Sequence, residues 1–182
     1  FLLLTLVVNL LISNPESSDA TETSASAGSS AYSASIRFDD TISIPVTPTS
    51  TQEEYTATNK IYFSNTCTAG SYVYISTNST DNSLTRTGSD SGVKTISATT
   101  GEGLDDSTWG FKLDGKAFSQ VPSVSSPVVL HSSTTAETDT DLDVIYGVKV
   151  DNTMPSGTYT NDVLYTVSVK PECLTYTLSF YD

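Results

Sequence analysis

Apolar and polar positions alternate most regularly over residues 158–169. There Tyr159, Val163, Tyr165, Val167 and Val169 share one parity, and Thr158, Thr160, Asp162, Thr166 and Ser168 share the other. A period of two over this length predicts a strand with one face on a core and one in water. Pro155 and Gly157 set a tight corner before it. Shorter alternating runs, parted by Gly, Pro, Asn and Asp clusters, predict further strands at 35–38, 41–46, 59–64, 72–77, 94–98, 108–113, 127–131, 143–150 and 174–181. No window after residue 13 carries apolar residues at i, i+3, i+4 and i+7, so the crossover helices that parallel strands need are missing from the pattern. The expected fold is all-β, an antiparallel Ig-like β-sandwich over residues 34–182. Tyr159, just past the corner, stands where immunoglobulin-like sandwiches keep a tyrosine corner.

Two segments precede this body. Residues 1–13 are almost wholly apolar, and Leu2, Leu4, Leu6, Val8, Leu10 and Ile12 form an unbroken apolar parity. As a helix the segment would rise about 20 Å, short of the roughly 30 Å hydrocarbon core, so a membrane span is not expected. Two readings stay open: a targeting remnant, with Ala20 or Ala27 behind it as small-residue cleavage sites, and an assembly element. As an assembly element it is expected to be a strand donated to a neighbouring sandwich, ahead of a short helix at a filament axis. Residues 14–33, rich in Ser, Ala, Thr and Glu, read as a linker with a reach of about 25 Å. So long a linker would not be needed to dock the segment on its own domain.

Composition narrows the partners. The formal net charge is -13, which argues against nucleic acid and against anionic headgroups, both of which call for Lys and Arg. Contact with a membrane is expected only during export. Thr, Val, Tyr and Ser outweigh helix formers, in keeping with strands and turns. Cys67 and Cys173 are the only cysteines, and in an exported chain they are expected to pair. Closing a loop of about 100 residues, the bond would stabilise by about 4–5 kcal/mol.

Catalytic chemistry is thinly represented, and neither an enzymatic activity nor a cofactor is expected. The single histidine, His131, ends an apolar run, and Ser and Asp are too common for a triad drawn through it to carry weight. No Gly-x-Ser-x-Gly elbow is present. Asp39/Asp40 and Asp105/Asp106 are adjacent pairs in turn contexts, which a glycosidase geometry does not use. Asp139, Asp141 and Asp143 alternate, placing three carboxylates on one side of an extended segment as a weak calcium candidate. The run lacks the Gly and distal Glu of an EF-hand, and a solvated acidic turn before the strand at 143–150 outweighs it. Asn78-Ser79-Thr80 is a glycosylation sequon of the kind expected by chance in such a chain. Lys149 and Asn161, on consecutive strands, are the pair to consider for a Lys–Asn isopeptide crosslink, though ordinary surface roles outweigh it. Trp109 and Phe111 are expected in the core, while Tyr32, Tyr55, Tyr72 and Tyr74 would offer a sugar-binding surface if exposed together.

Several stretches together resemble a known class. Residues 56–65, 70–76, 107–112, 146–150 and 155–161 follow one another in an order similar to that of exported bacterial surface β-sandwich proteins. The last stretch also resembles the terminal strand of fimbrial subunits. The opening Phe1-Leu2 resembles processed type IV pilins, departing from them at Thr5, where those carry Glu. The resemblance covers about residues 56–169 and implies a pilin-like, fimbrial or adhesin-like subunit at the cell surface or secreted. Its expected role is a structural, homo-oligomeric or homopolymeric filament protein. The alternative it implies is an adhesin or binding module for a glycan or host protein.

Overall fold

A computed structural model describes residues 4–13, 32–38, 41–87 and 95–173, the first of these segments through its backbone. Eleven strands follow in chain order: β1 (Leu4–Ser13), β2 (Ala34–Arg37), β3 (Thr41–Val46), β4 (Glu53–Asn65), β5 (Ser71–Thr77), β6 (Leu84–Thr87), β7 (Thr95–Ala98), β8 (Thr108–Leu113), β9 (Val128–Ser132), β10 (Glu137–Val150) and β11 (Gly157–Val169). A 3-10 turn, Pro171–Cys173, follows β11. The chain is all-β, as its alternation predicts. No helix among the described residues is long and apolar enough to cross a membrane.

The strands form two layers on one core. One layer runs β2-β4-β10-β8, all antiparallel; the other holds β3-β1-β11 with β5, β6 and β9. β7 joins them by pairing parallel with β8 and antiparallel with β6. Alternation decides what each strand buries. β3 sends in Ile42, Ile44 and Val46, β4 sends Ile61 and Phe63, β10 sends Val144, Tyr146 and Val148, and β11 sends Tyr159, Val163, Tyr165 and Val167. Trp109 and Phe111 join this core, as expected. Trp109 Nε1 donates to the Asn82 carbonyl at 2.9 Å, which satisfies the indole while its rings are buried. Pro45 lies on β3, an edge strand, where a missing N–H is tolerated.

The corner before β11 is built as its residues suggest. Tyr159, fully buried, donates its hydroxyl to the Pro155 carbonyl at 3.0 Å, closing the turn four residues back. On the other layer, Gly147 lies opposite Gly110. A Cβ at Gly147 would sit 2.6 Å from the Phe118 ring, so glycine here admits a buried aromatic laid across the sheet.

Across the core, the hydroxyls of Tyr146 and Tyr165 meet at 2.7 Å and tie the layers together. Burial raises both phenols well above their ordinary range. Above pH 10 the unfolded chain releases these protons while the native state keeps them, so the unfolded state binds fewer protons and stability falls as pH rises. We expect two tyrosines to stay protonated in ultraviolet titration until the protein unfolds. Tyr165→Phe should cost about 1–3 kcal/mol by orphaning the Tyr146 hydroxyl, and Tyr146→Phe with Tyr165→Phe should cost less than that single change. Denaturant melts of the three variants check the order.

Candidate functional site

The first candidate feature is the seat of β1. It lies between β11, to which it runs parallel from Leu4↔Gly157 to Ser13↔Thr166, and β3, to which it runs antiparallel from Leu4↔Val46 to Asn9↔Thr41. The register sets Leu4, Leu6 and Val8 opposite Val46, Ile44 and Ile42. Leu6, Leu10 and Ile12 likewise lie opposite Tyr159, Val163 and Tyr165. All six partner positions belong to the buried core, so the apolar parity of the segment occupies the core-facing register. Leu2 lies outside the described residues.

One expectation is corrected here. The segment is not expected to dock on its own domain, yet residues 4–13 form a strand between β11 and β3 of the same chain. Residues 14–33, read as a linker, lie outside the described residues apart from Tyr32 and Ser33. The slot itself is a structural demand. Among the described residues β3 pairs with no strand but β1, and β11 meets β6 and β5 at successive stretches and β1 along the remaining edge.

Cys67 and Cys173 are bonded, with Cα atoms 5.8 Å apart, and both are buried. The bridge ties the loop after β4 to the turn after β11. That region is laced by backbone bonds from Gly70 N to Cys67 O and from Lys170 N to Gly70 O, each 3.0 Å. Gly70 has a φ of 96°, and a Cβ there would lie 2.2 Å from the Ser133 carbonyl oxygen.

The carboxylates of the acidic run are engaged in ion pairs. The run belongs to β10 rather than to a turn before it, and the register shifts between Glu137 and Thr140. Asp139 takes a φ of 53° at this bulge, which breaks the alternation. Its carboxylate pairs with Arg37 on β2, while Asp141 and Asp143 share Lys60 at 2.7 and 3.0 Å. The hydrogen bond to Asp141 raises the Lys60 ammonium, and the same contact lowers Asp141. No group of three or more His, Cys, Asp or Glu suited to a metal occurs among the described residues. These exposed pairs add little stability, and their use is to fix the register of β4, β10 and β2.

The remaining candidates are dispersed. His131 Nε2 lies 3.1 Å from Glu137 and its ring packs on Phe63 with centroids 4.7 Å apart. Lys149 pairs with Asp106 at 2.7 Å, and Asn161 donates to the Ser83 carbonyl at 2.6 Å on the other layer, so the isopeptide partners do not meet. Tyr72 and Tyr74 share a face of β5 with ring centroids 5.9 Å apart, whereas Tyr55 is tied to the Thr47 carbonyl on β4's layer. Tyr55 therefore shares no surface with Tyr72 and Tyr74. Asp39, Asp40, Ala20, Ala27 and the strand expected at 174–181 lie outside the described residues.

One feature is not foreshadowed by the sequence pattern, a polar cleft beside β11 lined by Asn78, Asp81, Ser83, Thr85, Thr160 and Asp162. Its one signal in the chain is the turn-forming cluster around the sequon. No protein-family model matches this sequence, and neither does any curated protein.

Proposed function

We propose that this chain is a structural subunit of an extracellular, pilus-like filament, with β1 as its exchangeable element. A strand that completes its sheet while joined to the body through residues 14–33 is able to complete a second copy's sheet instead. The pairing is identical in either arrangement, so exchange conserves the ladder to β11 and β3. One observation carries the reading: the strand with the most complete apolar parity in the chain fills the slot on which β3 depends. A disulfide-braced sandwich with a strongly acidic, hydroxyl-rich composition fits the cell exterior.

The test is assembly. Full-length protein, partly unfolded in denaturant and returned to buffer at high concentration, should yield filaments or linear oligomers by negative-stain electron microscopy. The same protein lacking residues 1–13 should yield none. Identical filaments from both proteins would remove β1 from the assembly role.

A further inference from the structure

β5 and β6 follow one another along the same edge of β11 without meeting. β6 ends its pairing with Thr85 opposite Thr160, and β5 begins with Thr77 opposite Val163. Asn161 and Asp162 fall in the gap, and residues 78–83 arch over it. The result is a cleft of about 280 Å³ lined by hydroxyls, amides and two carboxylates. We infer that this cleft is a binding site for a neutral sugar ring.

The chemistry of the walls selects the ligand. Thr160 and Asp162 alternate with buried Tyr159 and Val163, so they face outward from the core. Ser83, Thr85 and Thr160 bring hydroxyls that donate and accept, and Asp81 and Asp162 bring acceptors that form strong bonds to sugar hydroxyls. Among the described residues no Lys, Arg or His lines the cleft, and two like charges repel an anionic ligand. A bare metal ion is disfavoured because no three metal-ligating side chains gather here among the described residues. The space is at the small end for ligand sites and polar where most are apolar, which suits one polyhydroxylated ring better than a drug-like or lipid molecule.

The walls are also held in place before any ligand arrives. Asn82 Nδ2 donates to the Val121 carbonyl, and the Asn82 backbone carbonyl accepts from the Trp109 indole, both at 2.9 Å, anchoring the arch to the core. Within the arch, Ser79 Oγ donates to the Asp81 carbonyl at 2.6 Å and Ser83 N donates to Asp81 Oδ1 at 2.9 Å. Asn78 N donates to the Asp162 carbonyl at 2.9 Å, stitching the arch to β11, and Val124 N donates to the Ser79 carbonyl from behind. A loop fixed at so many points loses little freedom on binding.

The experiment is a titration of ¹⁵N-labelled full-length protein, in its unassembled form, with methyl β-D-glucopyranoside, methyl α-D-mannopyranoside and methyl β-D-galactopyranoside. D-glucuronate is the charged control. At least one neutral glycoside should give saturable shifts confined to amides of residues 78–85 and 160–162, with Kd of about 1–10 mM. Glucuronate should bind at least about tenfold more weakly, through repulsion by the two carboxylates. Asp81→Asn with Asp162→Asn keeps the turn-capping oxygen and should weaken the neutral glycoside by about tenfold or more, the loss expected for charge-assisted bonds. Thr85→Val with Thr160→Val, which keeps the wall's shape, should do the same. Absence of saturation by all three glycosides overturns the inference. So do shifts centred on Tyr72 and Tyr74, or full affinity in both variants. The outcome is independent of filament formation.

Discussion

Protein lacking residues 1–13 is expected to melt more than about 10 °C below the full chain, at about 2–4 °C for each kcal/mol lost. The cause is double. Removing β1 strips the ladder from Gly157–Thr166 of β11 and leaves β3 with no strand partner among the described residues, so two rows of backbone groups turn to water as unpaired edges. It also opens the core beside Ile44 and Val46, which are 1% and 0% exposed. Burial of a single side chain of that size is worth about 1.5–3 kcal/mol, so loosening β3 alone costs several kcal/mol. A synthetic peptide of residues 1–13 added in trans should raise the midpoint again in a concentration-dependent way, because it binds the native state alone. Differential scanning calorimetry reads both effects. A truncated protein melting with the full chain would show that the slot is not part of the folding unit.

The second large effect belongs to the disulfide. Cys67→Ser with Cys173→Ser should cost about 4–5 kcal/mol, since the bond closes 106 residues of sequence. That corresponds to a fall in midpoint of about 8–20 °C. The loss should appear mainly in equilibrium stability, as the native contacts around Gly70 and Lys170 need no bond to form. Alkylation of the untreated, denatured protein should label neither cysteine, and stoichiometric labelling would contradict the pairing.

Much of the fold is legible in the chain because alternation reports burial directly. β3 and β8 fall where the pattern places them, since their inward residues are buried against the core. β4 and β10 each begin about six residues earlier than the apolar pattern suggests, at Glu53 and Glu137. Each added half buries almost nothing and is held by its ladder to the half of the other strand that the pattern does place, 53–58 against 145–150 and 137–142 against 61–65, with Lys60 bridging Asp141 and Asp143. β6 carries one buried residue, Leu84, too little for a period to show. For β1 the parity of Leu4 to Ile12 is readable but its partner is not. An apolar face states that a strand needs covering and leaves open which sheet covers it. The cleft is hidden for a related reason: it arises where β5 and β6 leave a gap on β11, a fact of pairing that neither strand carries in its own residues.

Whether β1 passes between molecules decides the filament role. Thr5 and Thr158 are opposite in register, so Thr5→Cys with Thr158→Cys gives a pair that bonds across whichever β1 occupies the slot. Filaments assembled from this variant, oxidised and then dissolved in denaturant without reductant, should run on a gel as a ladder of covalent multimers, while the oxidised unassembled protein runs as a monomer. Filaments that dissolve entirely to cross-linked monomers would contradict strand exchange, because each subunit would then have kept its own β1.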